Sequence, residues 1–145
     1  MLCVATATAG LVVAWRIDER AQPCWSVRQF IAFNRDTQAS LKAKTRFAPA
    51  GSYEQDSIPT GADYQAWLDG LQRHADQVTA PVLSAHAQRA AALAREFMKD
   101  ANQMNDELGK QDPLNAKLPP SAKAAAEVSH EFSDEMAALA RACPT

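Results

Sequence analysis

With 145 residues and a mass of 15.7 kDa, the chain is long enough for one domain with its own core and too short for two ordinary ones. The formal net charge of -2 conceals a split: residues 16–46 carry seven basic and three acidic side chains, and eight basic and fourteen acidic ones follow. A basic segment that can lie against acidic partners inside one fold leaves no net basic face, so the composition argues against a nucleic-acid partner.

The first fifteen residues, MLCVATATAGLVVAW, contain no charge, proline, asparagine or glutamine, and Arg16, Asp18, Glu19 and Arg20 follow together. This is the composition of a membrane segment. A fifteen-residue helix reaches only ~22 Å, short of the ~30 Å hydrocarbon layer, and neither a basic n-region nor a well-placed cleavage site accompanies it. We read residues 1–22 as an uncleaved anchor helix with lipid around residues 1–15, its true start lying upstream of Met1. Residues 23–145 are then the domain it carries, on the extracytoplasmic side. The competing expectation is a short buried helix of a soluble protein. Arg16 and Arg20 taken alone favour the opposite orientation.

Past the anchor, sustained period-two alternation is missing while Ala-rich patterns of helical period recur, which predicts an all-α chain. After Pro23, the residues Trp25, Val27, Phe30, Ile31, Ala39 and Leu41 mark a helix to about Lys44. Arg46 to Pro59, with Pro49, Gly51 and Pro59, reads as a long loop. Thr60 and Asp63 resemble an N-cap with an acid at N3, opening a helix through Tyr64, Trp67, Leu68, Leu71, Ala75 and Val78.

The apolar stripe then changes phase between Val78 and Leu83, which predicts a reversal at Thr79-Ala80-Pro81 rather than one long kinked helix. Beyond it, Leu83, Ala87, Ala90, Ala94, Phe97, Ala101, Met104 and Leu108 form a heptad seam ending at Gly109. Lys110 to Pro120 is a second loop. A last helix opens at Pro120 or Ser121 and turns Ala125, Val128, Phe132, Met136, Leu139 and Cys143 inward. The predicted fold is an N-terminal transmembrane helix followed by an antiparallel up-down four-helix bundle.

Alternation of four helices returns the end of the chain to the level of Pro23, so Cys143 meets Cys24. A disulfide there requires an oxidising compartment, which a bundle outside the membrane has. Closing a loop of about 120 residues contributes on the order of 4 to 5 kcal/mol in the chain-entropy model. Cys3, inside the apolar run, stays unpaired or meets another membrane helix. The competing expectation is three buried free thiols in a cytosolic protein.

Chemistry-bearing patterns are sparse. Glu127-Val-Ser-His130 has the Glu-x-x-His spacing of di-iron bundles, but it occurs once and Glu127 lies off the apolar stripe, which reads as a surface acid beside a surface histidine. No Gly-rich phosphate loop, Gly-x-Ser-x-Gly elbow or Cys-x-x-Cys occurs. No catalytic residue, cofactor or metal is assigned, and the chain is not expected to be an enzyme.

The aromatic residues Trp25, Phe30, Phe33, Trp67, Phe97 and Phe132 could line a lipid-sized cavity, whereas the alanine seam predicts closely packed helices. Phe47, Tyr53 and Ile58, apolar side chains in a loop with few charges, are the candidate partner-contact residues.

The stretches CWSVRQFIAFNRDTQASLKAKTRF and YQAWLDGLQRHADQV, together with the C-terminal cysteine, resemble small membrane-anchored extracytoplasmic helical proteins of actinobacterial, particularly mycobacterial, envelopes. The resemblance implies an envelope location and association with a transport or respiratory assembly, and it carries no catalytic residues. The function expected is a non-catalytic accessory or scaffold subunit of a larger integral membrane protein complex. The alternatives are an envelope carrier of lipid or another apolar ligand, and a metal-binding helical-bundle enzyme.

Overall fold

The computed structural model describes residues 23–48, 56–112 and 117–144. Four helices account for most of them: α1 (Pro23–Lys44), α2 (Gly61–Ala75), α3 (Pro81–Leu108) and α4 (Pro120–Ala142). The described residues contain no strand, only an isolated antiparallel bridge between Arg46 and Ser57. None of these helices is long and apolar enough to cross a membrane. The anchor predicted over residues 1–22 lies outside the described residues.

Side-chain pairs establish the alternation. Asn34 meets Trp67 and Lys44 meets Asp63, so α2 runs back along α1. Asp76 meets Gln88 and Gln72 meets Arg95, so α3 reverses again. His86 with Glu135, Arg89 with Glu131 and Glu107 with Ser121 set α4 antiparallel to α3. The reversal between α2 and α3 occupies Asp76 to Ala80 and is held by backbone bonds from Asp76 to Gln72, Gln77 to His74 and Val78 to Ala75. Val78 is buried beneath the turn, and Pro81 supplies a first helical residue whose missing N–H costs nothing there.

Sequence chemistry sets the helix ends. Thr60 and Asp63 form a full capping box at the start of α2: the Thr60 hydroxyl accepts from the Asp63 backbone N–H, and the Asp63 carboxylate accepts from that of Thr60. Gly109 closes α3 at φ -64°, so its capacity for left-handed backbone is unused.

The core is built from Val27, Phe30, Leu71, Leu139 and a run of alanines, with Ala75, Ala87, Ala90, Ala91 and Ala94 all buried. On α1 the buried stripe is Val27, Phe30 and Asn34, while Trp25 and Ala39, expected to face inward, are exposed. Two residues are about 200° apart on a helix, so Trp25 and Val27 cannot share one face. Asn34 takes a core position because the Trp67 indole N–H donates to its Oδ1 at 3.0 Å, with Gln38 Nε2 donating to the same atom at 3.3 Å. The α3 seam is buried only over its first half. Phe97, Ala101 and Met104 are half-buried, and Leu108 is exposed.

Gly70, in the interior of α2, is buried for a packing reason. A Cβ there would stand 1.9 Å from the Phe33 ring, and that ring lies 4.8 Å from the His74 imidazole. Gly70→Ala should therefore lower stability by about 1–2 kcal/mol net, strain outweighing the gain in helix propensity. Urea unfolding measures this, and Phe33→Ala should cost less in the Gly70→Ala background than alone.

Burial, and to a smaller degree Arg73, lowers the His74 pKa from its ordinary 6.5. Its buried Nδ1 has no hydrogen-bond partner among the described residues. The unfolded chain therefore takes up this proton first as pH falls. The His74 contribution is complete above about 6.5 and declines as the pH drops from there toward the lower folded-state value. Stability curves of the wild type and His74→Leu should differ in slope only in that window.

Candidate functional site

The four helices give the bundle two unlike ends. At one end lie the starts of α1 and α3 and the close of α4. Cys24 and Cys143 are joined there by a disulfide with Cα atoms 5.2 Å apart, and Arg28 Nε donates to the Pro144 carbonyl oxygen at 3.1 Å. Cys143 is fully buried, as its place on the inward stripe of α4 requires. Trp25 and Val82 are exposed at this end, at 36% and 70%.

The opposite end carries both interhelix connections that the sequence marked as loops. In the first, Arg46 and Ser57 exchange two backbone hydrogen bonds of 2.8 Å, and the Ala48 N–H donates to Asp56 Oδ1 at 2.7 Å. This two-rung bridge pinches the base of the loop and leaves the neighbours on either side, Phe47 and Ile58, in solvent at 74% and 66% exposure. Tyr53 lies outside the described residues. In the second connection the Lys117 N–H donates to Gln111 Oε1, and Leu118 is 81% exposed. Sequence reading did not single out Leu118, and it placed Leu108 on the inward seam, where the structure leaves it exposed. Both were visible as leucines beside a run of polar and proline residues, but nothing in that pattern tells whether a neighbour covers them.

Beside the first connection a cleft of about 550 Å³ opens between α2 and α3. Ile58 and Pro59 form its lip, Tyr64 and Leu68 one wall, and Phe97, Met98 and Ala101 the other. Phe97 also lines a smaller cavity of about 140 Å³ among all four helices, together with Trp67, Ala94 and Phe132. The alanine seam thus draws the helices together near the α2–α3 turn, where Ala75 and Ala87 are buried, and ceases to do so beyond Ala94. Of the aromatic set weighed as a cavity lining, Trp67, Phe97 and Phe132 line the inner space, whereas Phe30 is core and Trp25 is at the other end.

The α2 N-terminus faces this cleft with its charges already engaged. Lys44 Nζ donates to Asp63 Oδ1 at 2.6 Å. Lys44, then the Thr60 backbone and hydroxyl, hold the Asp63 carboxyl down at about 2. Glu127 and His130 are exposed on α4 and face separate neighbours, Lys123 and Asp134. Among the described residues no three His, Cys, Asp or Glu side chains converge as a metal site would need. No protein-family model, curated protein or solved structure matches the chain.

Breaking the disulfide should cost on the order of 4 kcal/mol, since the bond closes a loop of 119 residues. Cys24→Ser and Cys143→Ser should show the same loss of unfolding free energy as each other and as the double variant. A double variant with wild-type stability would mean the tie contributes nothing.

Proposed function

We propose that this chain is a non-catalytic accessory or scaffold subunit of a larger membrane protein complex, anchored through residues 1–22 and carrying its bundle on the extracytoplasmic side of an envelope membrane. One observation carries the reading: Phe47 and Ile58 are held out in solvent on either side of the Arg46–Ser57 bridge. The bridge fixes the backbone beside both large apolar side chains, so docking has chiefly their rotamers left to order, which favours a contact surface. Leu118, on the second connection at the same end, is a further exposed apolar side chain.

Other features agree with this orientation. A disulfide between the start of α1 and the end of α4 fits an oxidising compartment. It also lies at the end where the chain leaves residues 1–22, so the contact end points away from the anchor. Trp25 and Val82, exposed near the anchor, have the character of side chains that rest at a membrane interface. The sequence's resemblance to small actinobacterial envelope proteins supports the same location.

The test is photo-crosslinking from position 47 in the native membrane, followed by mild-detergent purification. The expected product is a stoichiometric adduct with an integral membrane protein, reduced at least about tenfold in Phe47→Asp/Ile58→Asp, as loss of a central contact pair implies. Recovery of an unadducted monomer from every position tested on this end would dispose of the accessory role.

A further inference from the structure

We infer that the cleft between α2 and α3 is a binding site for one acyl chain of a lipid with an uncharged polar headgroup. Its volume of about 550 Å³ falls within the ~300–1,000 Å³ of small-ligand pockets. Along its floor Tyr64, Leu68, Phe97, Met98 and Ala101 offer hydrocarbon and ring faces. Phe97 separates this floor from the inner cavity of about 140 Å³, and rotation of its ring would lengthen the apolar track toward Trp67. The inner end is mainly apolar: Trp67, Ala94, Phe97 and Phe132 line it beside Gln38 and Ser129, and the Trp67 N–H and Gln38 Nε2 are already donated to Asn34. The methyl end of a chain belongs there.

The rim decides the headgroup. Thr45, Gln65, Asn102 and Asn105 line the cleft and none is charged. A helix N-terminus is ordinarily a place for an anion, but the start of α2 is occupied by its own Asp63 carboxylate, which is paired in turn with Lys44. With Lys44 and Asp63 spent on each other, a carboxylate or phosphate headgroup would find no unpaired cation among the lining residues. A quaternary ammonium would find Asp63 already neutralised. Hydroxyl, ester or amide groups can exchange hydrogen bonds with the rim amides at no such cost. The site does not depend on the partner-contact reading, and isolated protein suffices to test it.

The probe is a series of monoacylglycerols, terminally brominated for quenching, added to the purified full chain in amphipol. Trp15→Phe/Trp25→Phe leaves Trp67 as the reporter. Quenching should saturate at one lipid per chain. Affinity should rise roughly fourfold per added methylene and then level off once the track is filled. Fatty acids and alkyltrimethylammonium ions of equal length should bind at least about tenfold more weakly, since burying an uncompensated charge is costly. Ala101→Phe, filling the floor, should weaken binding by about tenfold or more, with helix content and melting midpoint checked alongside. If that variant fails to fold, Ile58→Asp at the exposed lip serves instead. Unsaturable quenching, affinity that climbs without limit as in micelle partitioning, or wild-type binding by a folded variant would overturn the site. Equal affinity for the fatty acid would overturn the headgroup assignment.

Discussion

The covalent bond between Cys24 and Cys143 is the constraint on which the rest of the bundle depends. Each pair of helices consecutive in the chain is held close by a connection, but α1 and α4 are joined by none, and theirs is the closure that makes four helices a bundle rather than two hairpins. The disulfide supplies it at one level only, with Arg28 on the Pro144 carbonyl beside it. A bundle tied at one end fixes the level of each helix there and lets any divergence accumulate toward the other. The closed end is accordingly the packed one: Val27, Ala75, Ala87, Leu139 and Cys143 are all buried close to it.

Within that frame, register is set by a polar pair in the core. Asn34 and Trp67 sit on facing helices, and the indole N–H has its acceptor only when α1 and α2 are aligned as observed. Sliding one helix by a turn would bury the indole N–H without its acceptor, at about 1–3 kcal/mol, and leave Asn34 with Gln38 alone. Gly70 acts on the same interface by sterics. Its bare backbone admits the Phe33 ring, and the ring in turn covers one face of His74. Alanine-rich surfaces interdigitate weakly and tolerate sliding, so one directional bond and one close approach do the aligning that larger side chains do elsewhere.

Much of this architecture was legible in the residues. Thr60 and Asp63 announce a helix start because the capping box is a local arrangement, complete within four residues. The reversal at Thr79-Ala80-Pro81 showed as a phase break between Val78 and Leu83, and it brings Cys143 back to Cys24. What escaped were properties that belong to neighbours. Asn34 reads as polar until Trp67 is placed opposite it, and Gly70 reads as a weak helix residue until Phe33 arrives. The seam from Leu83 to Leu108 has a regular period throughout, but periodicity says which face is apolar and not how far along the helix another element covers it. Hence the cleft beyond Ala94, where close packing was expected, and hence the exposed Leu108.

Both candidate surfaces lie at the same end because the connection from α1 to α2 serves both. The 15 residues of α2 and the 28 of α3 correspond to about 22 Å and about 42 Å at 1.5 Å per residue. They do not start level: Asp76 bonds Gln88 and Gln72 bonds Arg95, so α3 begins about two turns before the close of α2 and passes the start of α2 by less. Level with Tyr64 and Leu68 of α2, the apolar side chains Phe97, Met98 and Ala101 of α3 stand across an open cleft. On the other flank α4 still packs there, as the Ser121 hydroxyl bonded to the Glu107 carboxylate marks. On the α2 flank the gap is bridged by the connection from α1, and Ile58 and Pro59 reach over Phe97 and Met98 without filling the space beneath. A connection stretched over a gap cannot also fold its own side chains inward. The cleft and the exposed Phe47 and Ile58 thus depend on one connection, since Ile58 lines the first and stands in solvent beside the Arg46–Ser57 bridge that carries the second.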